Sequence, residues 1–157
     1  MTRRIALATA VAAVLCGSCA NGEASGQDHQ RQMREAVDGF FAAANRGKWD
    51  EAARFMAPEF KIFTDGASTF DRPTYVALLK ADDLKVTDVG LSEIESSVSS
   101  DGSLGWIRYK ALVKATSNGK PADVRTAETM VLARRPEGWR IVQAHASIAP
   151  LEQGRGR

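Results

Sequence analysis

The chain has 157 residues, 44% of them hydrophobic and 25% charged, with 21 Lys plus Arg against 19 Asp plus Glu for a formal net charge of +2. That balance excludes a strongly basic nucleic-acid-binding protein and an acidic tail protein. The two cysteines, Cys16 and Cys19, both lie near the N-terminus, which excludes a fold stapled by disulfides.

The N-terminal residues read as an address. Arg3-Arg4 is followed by an uncharged stretch from Ile5 to Leu15 and then by the small residues Gly17, Ser18, Cys19 and Ala20. A basic start, an apolar run and a small-residue end are the parts of a secretory signal, and the run falls short of the roughly 20 residues that a membrane-spanning helix needs. Two processing routes stay open. Cleavage after Ala20 or Ala24 gives a soluble exported chain, whereas Leu15-Cys16-Gly17-Ser18-Cys19 resembles a lipoprotein box with Cys19 as the lipidated residue. We therefore expect a signal over residues 1–24, an exported product in the periplasm or outside the cell, and contact with a membrane only through such a lipid. The polar, Gly- and Ser-containing stretch that follows makes residues 25–31 an expected tether, with His29 in solvent.

The folded part starts helical. Met33, Ala36, Val37, Phe40, Phe41 and Ala44 recur at three-four spacing, which predicts an amphipathic helix over 32–45, ended by Gly47 in a left-handed cap. A short helix over 49–56 is stopped by Pro58, a short strand occupies 59–63, and Asp71 caps a third helix with Pro73 in its first turn. Beyond residue 83 the period becomes alternating. Strands are expected over 84–98 (interrupted at Gly90), 104–116, 122–135 and 139–148, joined at Asp101-Gly102, Asn118-Gly119 and Glu137-Gly138. Helices first and an antiparallel meander afterwards mean an α+β domain over residues 32–150, three helices packed on one bent sheet, with residues 151–157 as a frayed tail.

The C-terminal hairpin carries a resemblance. Glu128-Thr129-Met130-Val131-Leu132-Ala133-Arg134-Arg135, then Gly138-Trp139-Arg140-Ile141-Val142 and His145-x-Ser147-x-Ala149-Pro150, resembles the association domain of calmodulin-dependent protein kinase II and its exported bacterial relatives. These belong to the nuclear-transport-factor-2-like, or SnoaL-like, superfamily. Trp106-Ile107-Arg108-Tyr109 and Asn45-Arg46-Gly47-Lys48-Trp49 are similar to the family's central strand and first helical turn. The resemblance implies a cone-shaped fold, a homodimer packed through the open sheet and a pocket at the wide end of the cone. It says little about reaction, because fold-mates include steroid isomerases, polyketide cyclases, dehydratases and binding modules.

Candidate residues follow. His145 could act as acid or base near neutral pH, or serve only as a structural histidine. Alternation puts Trp139, Ile141, Gln143, His145 and Ser147 on one face of the last strand and Val142, Ala144, Ala146 and Ile148 on the other, without saying which lines the pocket. A buried Arg108 would need a carboxylate, and Glu128 on the neighbouring strand is its natural partner; both are candidate ligand-binding residues, with Arg108 able to hold an anionic group such as a carboxylate, and the plainer alternative is an exposed sheet arginine or a structural ion pair. Asp65 lies in the region where the resemblance places a catalytic aspartate, beside Gly66, where a turn residue is the plainer reading. Trp49, Tyr75 and Tyr109 are candidate cavity aromatics. No ligand spacing for a metal, no phosphate loop and no nucleophile elbow is present in the sequence, so no cofactor is expected. The leading expectation is an exported, dimeric small-molecule-binding protein without nucleic-acid partners. The alternatives are an enzyme of the cyclase, isomerase or hydratase type using Asp65 and His145, and a non-catalytic oligomerisation module.

Overall fold

The computed structural model describes residues 20–64, 68–81 and 83–150. Helix α1 (Ala20–Ala44) is followed by the single turn α2 (Trp49–Ala52) and a 3-10 turn over Ala53–Phe55. Strands β1 (Met56–Thr64) and β2 (Ser68–Asp71) precede α3 (Arg72–Ala81). Then come β3 (Lys85–Val98), β4 (Leu104–Ser117), the two-residue β5 (Lys120–Pro121), β6 (Val124–Arg135) and β7 (Gly138–Pro150). One sheet holds all the strands in the order β2-β1-β7-β6-β4-β3, with β5 paired to β4. The expected α+β architecture stands. The sheet is mixed, because β1 runs parallel to β7 while its other pairings are antiparallel.

Helix α1 docks through the predicted stripe: Met33, Ala36, Val37, Phe40, Ala43 and Ala44 are buried. They face Ile107, Tyr109, Ala111, Met130, Leu132, Trp139, Ile141, Ala144 and Ala146, which make up the inner face of the sheet. The approach is close. A Cβ on Gly105 would lie 2.4 Å from Sδ of Met33 and 2.9 Å from the carbonyl oxygen of Ser97, so only glycine lets the helix settle there. At its C-terminus Gly47 takes φ +65°, the Lys48 N–H donates to the Ala43 carbonyl (3.0 Å) and the Gly47 N–H to that of Ala44 (2.8 Å). These two bonds form a Schellman cap at the glycine that the sequence marks.

Three local expectations change. Residues 25–31, read as a tether, are helical and belong to α1. On the helix surface Arg31 pairs with Asp28 and Glu35 at 3.1 and 2.8 Å, and the half-buried His29 ring meets Trp139 edge-on at 5.9 Å. Pro58 does not stop a helix. It lies inside β1, where the register against β7 is irregular between Met56 and Lys61, a position that tolerates a residue without an N–H. Gly90 does not interrupt its strand either; it pairs with Leu112, and the irregularities of β3 fall at Val86/Asp88 and Ser92/Glu95. The predicted cap of α3 forms, with the Thr74 N–H donating to Asp71 at 3.0 Å.

Candidate functional site

Between the inner face of the sheet and the helices lies a cavity of about 250 Å³. Its wall is almost wholly apolar. Phe40 and Phe41 enter from α1, Trp49 from α2, Met56, Phe60 and Ile62 from β1, Tyr75 and Leu79 from α3, and Met130, Ile141, Ala144 and Ala146 from the central strands. Ile148 lines it while remaining 40% exposed, so it stands at the rim. Among the described residues lining it there is no Lys, Arg or His.

One acidic group enters this wall. Glu128 and Tyr109 are direct cross-strand partners of β6 and β4. The Tyr109 hydroxyl donates to Oε2 of Glu128 at 2.7 Å, and the Thr126 hydroxyl, two residues earlier on the same strand face, donates to Oε1 at 2.7 Å. Tyr109 is itself buried, held by the edge of the Phe41 ring at 5.8 Å and by a contact of its oxygen with Sδ of Met130 at 3.7 Å. Burial in this apolar wall pushes the Glu128 carboxyl above its ordinary 4.5, and the two donated hydrogen bonds offset only part of that. Tyr75 and Tyr109 are driven up as well, first by burial and then by the Glu128 charge, so both stay neutral donors at any working pH.

The sequence-derived candidates divide between the two faces of the sheet. Trp49, Tyr75 and Glu128 line the cavity, and Tyr109 stands behind Glu128 as its hydrogen-bond donor. Arg108 is on the outer face. It pairs with Glu95 at 2.6 Å and lies 5.8 Å from the centre of the Trp106 ring, so the expected pair with Glu128 does not form. His145 is exposed and also on the outer face, opposite Phe63 on one side and Thr129 on the other.

The reason is a bulge. Leu132 and Val131 are adjacent on β6, yet they pair with Ile141 and Gln143, which leaves Val142 as an extra residue on β7. Trp139 and Ile141 face inward before it, and Ala144 and Ala146 after it, so the strict alternation expected along this strand fails and His145 turns outward. The acid–base pair of Asp65 and His145 in one pocket loses its His145 member. Asp65 itself lies outside the described residues, as does Cys19 with the signal expected ahead of it.

Sequence reasoning missed Thr126, Phe41, Phe60 and Met130. The alternation of Thr126, Glu128 and Met130 along β6 was the signal available for two of them. Among the described residues no group of three His, Cys, Asp or Glu side chains is placed to hold a metal ion.

Comparison with known proteins gives the family and the fold. The profile of the SnoaL-like domain matches residues 33–152. A proposed Ca/calmodulin-dependent kinase II association domain from Exiguobacterium sibiricum superposes with a TM-score of 0.69 at 13% identity, over 80% of this chain and 95% of that one. A ketosteroid isomerase-like protein from Erwinia carotovora atroseptica gives 0.61 at 12% identity, over 75% and 94%. A proposed dehydratase of the nuclear-transport-factor-2-like family from Streptomyces avermitilis gives 0.64 at 18% identity, over 81% and 99%. At such identities the likeness establishes the fold and leaves the chemistry to the site. None of the curated protein sequences matches the chain.

Proposed function

The chain belongs to the SnoaL-like domain family, and from that premise we propose that it is a small-molecule-binding protein whose ligand occupies the cavity between helices and sheet. The observation that carries this reading is Glu128, a carboxyl placed in a wall of aromatic and aliphatic side chains and held there by two donors. Burying such a group without a ligand weakens the fold, whereas a few convergent polar groups in an apolar pocket are the usual make-up of a binding site. The cavity suits a ligand smaller than most drugs, apolar over most of its surface. The test is thermal unfolding of the protein against a library of small apolar compounds, each carrying one polar group. The reading expects a rise in Tm for a subset of them and loss of that rise in an Ala144→Phe variant, which fills the cavity. No rise with any compound would reject it.

Two further elements belong to the proposal. The pattern of residues 1–20 supports export, with Cys19 as the lipid attachment point or part of a discarded signal. Processing at Cys19 keeps every described residue of α1, whereas cleavage after Ala24 removes the first described turn. Fractionation of cells and the mass of the mature N-terminus decide between the routes, and an unprocessed cytoplasmic chain would reject export. A homodimer through the outer face of the sheet is supported by Leu104, Trp106 and Leu112, large apolar residues exposed together on β4.

A catalytic reading of the cyclase, isomerase or hydratase type rests on Glu128 in place of His145. A carboxyl with a raised pKa beside a neutral tyrosine is able to exchange a proton with a bound substrate. Turnover that vanishes in Glu128→Gln while ligand affinity persists would favour this reading over binding alone.

A further inference from the structure

We infer that the ligand of this cavity is a hydrophobic amine, bound as its ammonium ion with Glu128 as counter-ion. This rests on the reading of the cavity as a ligand site and specifies the chemistry of what fills it.

Three observations lead there. First, the hydrogen-bond accounting at Glu128 is one-sided. The Tyr109 and Thr126 hydroxyls both donate to Glu128, one to each carboxylate oxygen. An ionised carboxylate has about four lone-pair sites, so each oxygen can accept another hydrogen bond from a ligand. A ligand that only accepts, such as a ketone, finds these two hydroxyl protons already engaged. A donor finds acceptors waiting.

Second, the charge is one-sided. Among the described residues no Lys, Arg or His lines the cavity, so none of them offers an ionised Glu128 a cationic partner in the wall. An anionic ligand would meet repulsion in a medium that screens it poorly, whereas a cation supplies the missing charge and a charge-assisted hydrogen bond in one group. Third, the rest of the wall suits a cation with an apolar body. The rings of Phe40, Phe41, Trp49, Phe60 and Tyr75 line the same space, and the negative faces of aromatic rings attract an ammonium group. The nearest ring pairs are locked together, Phe40 with Phe41 at 5.3 Å and Phe60 with Tyr75 at 6.0 Å, so the aromatic wall is formed before any ligand arrives.

The experiment is calorimetric titration of the full-length protein with probes matched in shape and differing in one group: phenethylammonium, phenethyl alcohol and hydrocinnamate, with the cyclohexyl and butyl ammonium–alcohol pairs covering other sizes. The ammonium probe of the best-fitting pair should bind at least about tenfold tighter than its alcohol, and the carboxylate probe should not bind measurably. The preference should grow as pH rises through the raised Glu128 titration while the amine stays protonated. Glu128→Gln should remove the preference, so that ammonium and alcohol probes of one shape bind alike. If that variant fails to fold, the matched probes on the native chain still decide. Alcohol or carboxylate binding as tightly as the amine overturns the inference and leaves the cavity reading standing. Absence of binding by every pair overturns both.

Discussion

The Tyr109 hydroxyl donates a 2.7 Å hydrogen bond to the Glu128 carboxyl from the directly opposite position on the neighbouring strand. Both side chains point to the inner face of the sheet, so the polar centre of the cavity is set by strand register rather than by a loop. A one-residue slip between β4 and β6 would put the two residues on opposite faces of the sheet. Phe41 from α1 and Thr126 from β6 fix the pair from the sides, which ties the geometry of the site to the docking of α1.

Replacing Tyr109 by Phe removes a donor to a buried carboxyl while keeping the ring. The lost bond favours the ionised form, so the variant should lose about 1–3 kcal/mol at a pH above the raised Glu128 titration and less at a pH below it. Urea unfolding at the two pH values measures the difference. An equal loss at both would mean that the hydroxyl does not act on the charge of Glu128.

Glu128 also sets a pH dependence whose sign follows from its raised pKa. The folded state holds this proton to higher pH than the unfolded chain, where the carboxyl titrates near 4.5. Its contribution to stability is therefore fully present below that value and is lost as pH rises through the folded pKa. Glu128→Gln lacks this loss. Relative to the native protein, the Tm of the variant should rise by about 3 °C or more between pH 4 and pH 8. A gap that stays constant with pH would contradict the burial of an ionisable group there.

Gly105 predicts a packing effect far from the cavity. A methyl group there collides with Met33 and the Ser97 carbonyl, so Gly105→Ala should cost about 1–3 kcal/mol in denaturant unfolding. A neutral result would mean that α1 does not approach β4 this closely.

The outer face gives the opposite pattern. His145→Ala and Arg108→Ala should leave ligand affinity within about twofold of the native value, since neither side chain reaches the cavity. In the same region Trp106→Glu should shift the mass measured by light scattering from dimer to monomer without changing affinity. A dimer that survives this charge would place the interface elsewhere.

How much of this was legible in the sequence depends on the period of each segment. The α1 stripe, the Gly47 cap and the Asp71 cap were legible because each rests on local geometry that the residues dictate. Trp49, Tyr75 and Glu128 were recognised as pocket candidates, but Glu128 was paired with Arg108, because spacing along a strand does not reveal which residue stands opposite. Registration put Tyr109 there, and turned Arg108 to the far side. His145 was undecidable for a sharper reason. The single extra residue Val142 reverses the facing of everything after it, and no feature of Trp139-Arg140-Ile141-Val142-Gln143 announces a bulge. The helical state of residues 25–31 was hidden by composition. Asp28, Gln30 and Arg31 read as linker residues until i,i+3 and i,i+4 pairing and the contact of His29 with Trp139 bring them into a helix.

The most direct test of the account uses the methionine methyl groups as reporters. Met56 and Met130 line the cavity, whereas Met33 is packed between α1 and Gly105 outside it. In methyl NMR of the carbon-13 methionine-labelled protein titrated with phenethylammonium, the Met56 and Met130 resonances should move together and saturate while that of Met33 stays in place. Saturable binding that leaves Met56 and Met130 unmoved would put the ligand elsewhere and contradict the account.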